Sequence, residues 1–124
     1  MEEMVRPGSF FVVLAYCVDP ERIEEHDRAY VAIYDYYRKN CPEIRSARIY
    51  GQTYGSLIPG GRTGKLEILE FDSMAARATY LDNIKRDHPE LPNLLAAWRR
   101  TTVPGSIQIH AFTDHGRHAW VGPS

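Results

Sequence analysis

A strand that is apolar on both faces must be covered twice, and this chain contains two of them. Residues 9–18, SFFVVLAYCV, set Phe10, Val12, Leu14 and Tyr16 on one side against Phe11, Val13, Ala15 and Cys17 on the other. Their β-branched and aromatic content favours a strand, and two apolar faces predict a central strand with cover on both sides. Residues 66–71 repeat the feature, with Leu66 and Ile68 opposite Leu69 and Phe71.

A turn and a helix follow each of these strands. Asp19 is a suitable N-cap and Pro20 a suitable first helical residue. Glu21, Glu24 and Glu25 suit the positive end of the helix dipole, and Arg38 and Lys39 the negative end. Ile23, Ala29, Tyr30, Ile33, Tyr34 and Tyr37 form a broad apolar stripe, so the tyrosines read as packing residues. His26, between Glu25 and Asp27, reads as solvent-facing, and Asn40-Cys41-Pro42 closes the helix. In the second unit, residues 65–98, Ser73 is the expected N-cap and Ala75, Ala76 and Ala78 favour helix. The stripe Tyr80, Leu81, Ile84 is interrupted at His88-Pro89, where His88 reads as a turn or capping residue. It resumes at Leu91, Leu94, Leu95 and Trp98.

Two further strands complete the set. Residues 44–54 carry a small apolar face of Ala47, Ile49 and Gly51 and a polar-aromatic face of Arg48, Tyr50, Gln52 and Tyr54. Residues 55–64 read as a flexible glycine-rich hairpin loop. Residues 105–112 place Ile107, Ile109 and Ala111 opposite Ser106, Gln108, His110 and Phe112. The order βαββαβ predicts an α+β, ferredoxin-like domain over residues 9–112, between tails 1–8 and 113–124. Its four-stranded antiparallel sheet would carry both helices on one face. The second apolar face then needs another cover, and a second copy of the sheet about a two-fold axis is the simplest one, giving a homodimeric barrel, with higher oligomers open.

Composition narrows the function classes. The chain has 124 residues, enough for one domain whose core needs neither disulfides nor metal. A net charge of −1 excludes the basic excess of a nucleic-acid binder. No apolar stretch reaches membrane-spanning length, and MEEMVRPGS lacks the pattern of a signal peptide. Cys17 and Cys41 are isolated, and Cys17, in an apolar strand, reads as a buried free thiol of a reducing compartment, so a cytoplasmic protein is expected. The stretch Pro59-Gly60-Gly61-Arg62-Thr63-Gly64-Lys65 fails as a phosphate loop, because Pro59 and Leu66 stand where Gly and Ser or Thr are required. No GxSxG, HExxH or closely spaced Cys–His pair occurs. His110, His115 and His118 lie close in sequence, but Gly116 opposes the helix that would align the last two, so no metal is expected.

Three stretches carry a family resemblance: the first strand with Asp19-Pro20-Glu21 opening a helix, Leu69-Glu70-Phe71-Asp72-Ser73-Met74-Ala75-Ala76-Arg77, and His88-Pro89-Glu90-Leu91. Over residues 10–112 the chain resembles the dimeric α+β barrel superfamily, and within it the antibiotic-biosynthesis-monooxygenase-like and NIPSNAP-like groups. The resemblance implies a homodimer and a small-molecule enzyme without a cofactor. The reaction implied is that of a cofactor-independent monooxygenase or related isomerase acting on an aromatic or polyketide-like compound. A non-catalytic ligand-binding or stress-response barrel, and a haem-binding or haem-degrading protein with a histidine ligand, remain open alternatives.

If the helix-free face lines a barrel, its polar groups are the candidates for chemistry. His110, Arg48 and Tyr50 are the expected catalytic residues, since histidine titrates near neutrality and an arginine can polarise a phenol or enol. Tyr16, Gln52, Gln108 and His88 are expected to contact a small hydrophobic or aromatic ligand, His88 by bordering the barrel mouth. The competing reading has Gln108 and His110 hydrogen-bonding across the dimer interface. A polycyclic substrate would need a cavity of at least about 300 Å³.

Overall fold

A computed structural model of the chain describes residues 9–58 and 61–114. The four strands are β1 (Phe10–Cys17), β2 (Ile44–Gly51), β3 (Gly64–Phe71) and β4 (Gln108–Thr113). They form one antiparallel sheet in the order β2-β3-β1-β4. The doubly apolar strands β1 and β3 are the two central ones, as their sequences require. Three helices accompany them: α1 (Ile23–Asn40), α2 (Met74–Asp87) and α3 (Leu91–Arg99), giving βαββααβ. His88-Pro89 divides what the periodicity presents as one interrupted helix into α2 and α3.

The expected caps are present. The Asp19 carboxylate accepts from Glu21 N at 3.0 Å and opens a 3₁₀ turn, Pro20–Arg22, that leads into α1. Ser73 Oγ accepts from Ala76 N at 3.0 Å at the start of α2. The helices pack on one face, where Phe10, Val12, Tyr16 and Phe71 meet Ile33, Tyr37, Tyr80, Leu91 and Trp98. Burying these side chains contributes on the order of 1.5–3 kcal/mol each.

Among the described residues no helix covers the opposite face. Register sets its rows as Ser46–Glu70–Phe11–Phe112, Arg48–Ile68–Val13–His110 and Tyr50–Leu66–Ala15–Gln108. Its centre is apolar apart from Glu70, and its edges are polar apart from Phe112.

Three expectations change. The strand reading of residues 44–54 runs too far, because β2 ends at Gly51. Gln52 Nε2 then donates to the carbonyls of Ile58 and Gly61, each at 2.9 Å, while its Oε1 accepts from Ile58 N at 3.1 Å. The described part of the loop is thus braced, and buried Ile58 lies so close to Gly64 that a Cβ there would meet it at 3.0 Å. His26, expected in solvent, is fully buried at 0% exposure. It follows Ile23 and precedes Tyr30 and Ile33 at helical spacing, so it belongs to the inward stripe. The tails 1–8 and 115–124, with His115 and His118, lie outside the described residues.

Candidate functional site

Among the described residues the core holds one buried carboxylate. Glu67, in the middle of β3, is paired with Leu14 and Ile49 and points to the helix side. It is only 7% exposed, and the Tyr34 hydroxyl donates to its Oε1 at 2.7 Å. Burial pushes its carboxyl above the usual carboxylate range, and the nearby Tyr34 and Tyr16 hydroxyls offset this only in part. A carboxyl raised in this way holds a proton more readily than a surface acid and is suited to proton transfer.

Aromatic hydroxyls and an imidazole continue from it. Tyr16 is fully buried beside Glu67, and burial together with that carboxylate raises its phenol. Tyr16 Oη lies 2.7 Å from His26 Nε2, and His26 Nδ1 lies 3.2 Å from the Asp27 carboxylate. A carboxylate only accepts, so Nδ1 carries the proton and Nε2 accepts from Tyr16. Burial lowers the imidazole below its ordinary value, and Asp27 opposes this only in part, which keeps the ring neutral. Asp27 is 56% exposed, so polar groups run from the buried Glu67 to solvent.

Trp98 stands edge-on to Tyr16, with ring centroids 4.9 Å apart at 84°. Its indole Nε1–H is buried and near enough to the Tyr16 oxygen to favour ionisation, yet among the described residues it has no acceptor in bonding geometry. An orphaned buried donor costs about 1–3 kcal/mol, so it is a ready partner for a ligand oxygen.

Trp98 and Glu67 border space. A cavity of about 260 Å³ lies between the sheet and α2/α3, walled by Val12, Leu14, Leu69, Phe71, Tyr80, Leu95 and Trp98, with Arg77 and Arg99 also lining it. A smaller space of about 30 Å³, lined by Glu67, Tyr37, Ile33 and Trp98, shares Leu14, Leu69 and Leu95 with it. Apolar walls with a few convergent polar groups are the general form of a small-molecule site. Among the described histidines, none lines this cavity.

The residues singled out from sequence are brought together only in part. Arg48 and Tyr50 share a depression of about 230 Å³ on the helix-free face with Phe11, Ser46, Ile68 and Glu70. His110 lies on that face in the same cross-strand row as Arg48, but Ile68 and Val13 stand between them. Three strand spacings, about 14 Å, separate the two edges, so one chain does not bring Arg48 and His110 onto one small ligand. Gln108, also on that face, borders a separate hollow with Cys17, Val103 and Ser106. Tyr16 is on the opposite, helix-covered face, and Gln52 is occupied in the loop, which corrects their expected placement on the barrel lining. His88 is buried against Tyr36, Cys41 and Glu43. Sequence reasoning missed Glu67 and Trp98 as functional candidates. A carboxylate inside a doubly apolar strand was the available signal for the first, and nothing marked the second.

No family model matches this chain, and no curated protein matches it. Solved structures do. A candidate antibiotic biosynthesis monooxygenase from Caulobacter crescentus CB15 is 16% identical, with a TM-score of 0.65 over 90% of this chain and 94% of that one. SnoaB, a cofactor-independent oxygenase from Streptomyces nogalater, is 12% identical, with a TM-score of 0.64 over 90% and 95%. A dimeric ferredoxin-like protein of unknown function from Jannaschia sp. CCS1 is 14% identical, with a TM-score of 0.64 over 85% and 98%. At these identities the likeness is one of fold. This chain has the ferredoxin-like α+β fold of the antibiotic-biosynthesis-monooxygenase-like proteins, as the sequence resemblance implies.

Proposed function

We propose that the chain is a small-molecule enzyme that activates a compact aromatic phenol or enol by proton abstraction, with Glu67 as the base. The observation that carries this reading is the buried, raised carboxyl of Glu67 in a small space that shares Leu14, Leu69, Leu95 and Trp98 with the larger apolar cavity, together with the buried Trp98 Nε1–H, which has no hydrogen-bond partner among the described residues. Deprotonation of a ring hydroxyl delocalises charge to oxygen and ring carbon. Trp98 Nε1–H donates to that oxygen, in the manner of an oxyanion donor.

The electron-rich ring carbon then reacts with dissolved dioxygen. A C–O bond forms, the ring carbon loses its hydrogen, and the O–O bond breaks. One oxygen atom remains as a carbonyl and the other leaves as water, so a phenol becomes a quinone. Tyr16, His26 and Asp27 offer the abstracted proton a route to solvent. The monooxygenase reading is favoured over the isomerase reading by the fold shared with an oxygenase that uses no cofactor.

Cavity size sets the substrate class. A dry cavity of about 150 Å³ takes benzene, so about 260 Å³ suits a one- or two-ring aromatic. It falls below the roughly 300 Å³ expected for a larger polycyclic substrate. In the same proposal the helix-free face pairs with a second copy of the chain. Arg48, Tyr50, Gln108 and His110 would then line the space between facing sheets, which for Gln108 and His110 is the interfacial role weighed above.

The test is oxygen uptake by the full chain, with a panel of one- and two-ring phenols and quinols and no added cofactor. Proton–deuterium exchange at the substrate ring is measured in parallel. Uptake with one labelled oxygen atom in the product is expected. Exchange without uptake would favour the isomerase. Neither, with saturable binding, would leave a binding protein.

A further inference from the structure

A second cluster of reactive side chains lies where α1, β2 and the α2–α3 break meet, apart from the cavity. Cys41 Sγ is 3.7 Å from each ring nitrogen of His88, and His88 Nε2 is 3.1 Å from Glu43 Oε2. The Tyr36 hydroxyl lies 3.3 Å from His88 Nδ1. Cys41 is 2% exposed and His88 4%, and one donor atom from each of Cys41, Glu43 and His88 falls within 4.8 Å of the others.

We propose that Cys41, Glu43 and His88 bind a divalent cation of the zinc class, with a fourth position left for water or the Tyr36 hydroxyl. Bonds of about 2.3 Å to sulfur and 2.0–2.2 Å to nitrogen and oxygen place tetrahedral ligand atoms roughly 3.3–3.7 Å apart, and the two observed separations, 3.7 and 3.1 Å, are close to that. Thiolate and imidazole select zinc-like ions over magnesium or calcium. A thiolate, a carboxylate and a neutral imidazole together balance a 2+ charge.

Two features single this cluster out from an ordinary buried contact. Glu43 Oε1 is buried without a hydrogen-bond partner among the described residues, an unsatisfied acceptor that a cation would satisfy. The ligands are also held by rigid backbone. Ile44 N donates to Cys41 O at 3.1 Å, closing a turn around Pro42 that fixes Cys41 and Glu43 relative to each other. His88 caps α2, its N–H donating to Ile84 O at 2.9 Å, and its own carbonyl accepts from Leu91 N.

A Cys–His–Glu nucleophile is the competing reading of the same residues. It fails on access, since the Cys41 thiol is almost wholly buried. Bound metal would tie the end of α1 and the start of β2 to the α2–α3 break, a structural role independent of the Glu67 cavity.

The test is titration of the reduced, metal-free full chain with cobalt(II), followed by displacement with zinc. One equivalent should bind with a thiolate-to-cobalt charge-transfer band and tetrahedral visible bands, and zinc should bleach both. Cys41→Ala should abolish the charge-transfer band. Glu43→Gln, at a partly exposed carboxylate and therefore tolerant of change, should weaken cobalt binding by more than about tenfold. Cys17→Ser and the double replacement of His115 and His118 by Ala should leave the spectrum unchanged. No saturable band up to millimolar cobalt overturns the proposal. So does a band that survives Cys41→Ala, ignores Glu43→Gln, or disappears with Cys17→Ser or the tail histidines.

Discussion

The two faces of the sheet are made from the same four strands and solve opposite problems. The helix-side face is covered, and it holds polar groups inside an apolar core: Glu67, Tyr16 and His26 are all below one-tenth exposed. The other face carries no helix among the described residues and is patterned differently. Phe11, Val13, Ile68 and Leu66 occupy its centre with one charged residue, Glu70, and Arg48, Tyr50, Gln108 and His110 its two edges with one apolar residue, Phe112. Buried polar groups in a dry surround shift their proton affinities, whereas edge groups in contact with water do so far less. On the covered face burial raises Glu67, Tyr16 and Tyr34. Proximity of polar residues on one face therefore says less about chemistry than does the dielectric around them.

The sharpest way to break this contrast is to exchange the charge on each face. Glu67→Gln keeps the acceptor for Tyr34 and removes the base. Turnover of the phenol substrate should fall by about 10²–10⁴-fold, whereas Arg48→Ala and His110→Ala should leave it within an order of magnitude. If the open-face variants are the dead ones, the chemistry sits between paired sheets. Trp98→Phe keeps the ring and removes the N–H. It should lower kcat by about 10²-fold with little change in KM, because the donor acts mainly as charge develops on the substrate oxygen. Equal loss in binding and turnover would reduce Trp98 to a wall residue.

The helix-free face is tested by association. Ile68→Asp places a charge at the apolar centre, where a facing sheet would bury it without a partner. The dissociation constant of a homodimer should rise by at least about tenfold, read by sedimentation across a concentration series. Tyr50→Ala, at the edge, should have a much smaller effect. A wild-type chain that stays monomeric at micromolar concentration removes the paired-sheet proposal.

Much of the fold was legible because its signals are local. Asp19 and Ser73 cap the helices that follow them, and His88-Pro89 divides α2 from α3, each through a property of one or two residues. The doubly apolar strands correctly name themselves as central. Which face of β1 meets the helices is not local. The alternation places Tyr16 with Val12 and Phe10, but only register against β3 and β4 shows that His110 and Arg48 share the other face. Glu67 was visible and passed over because Leu69 and Phe71 beside it suggest simple packing. Cys41 and His88 are 47 positions apart, so their contact exists only once α1 and α2 are docked, and no spacing rule can find it.

The smallest effect is also the most diagnostic of the covered face, because it needs no substrate. Glu67 holds its proton more tightly folded than unfolded, since burial raises its carboxyl. Below the ordinary carboxylate pKa of about 4.3 both states are protonated, and the full stabilising contribution is present. As pH rises towards the folded-state pKa, the unfolded chain releases the proton first, and stability falls. Glu67→Gln is neutral throughout and should escape that loss. The variant's stability relative to wild type should therefore increase from pH 4 to neutrality and level off above the folded-state pKa, as read from denaturant midpoints at matched slope. Activity, which needs the ionised base, should rise over the same window. A stability difference that is flat with pH would mean that Glu67 titrates like a surface acid, and the covered face would lose its claim to the chemistry.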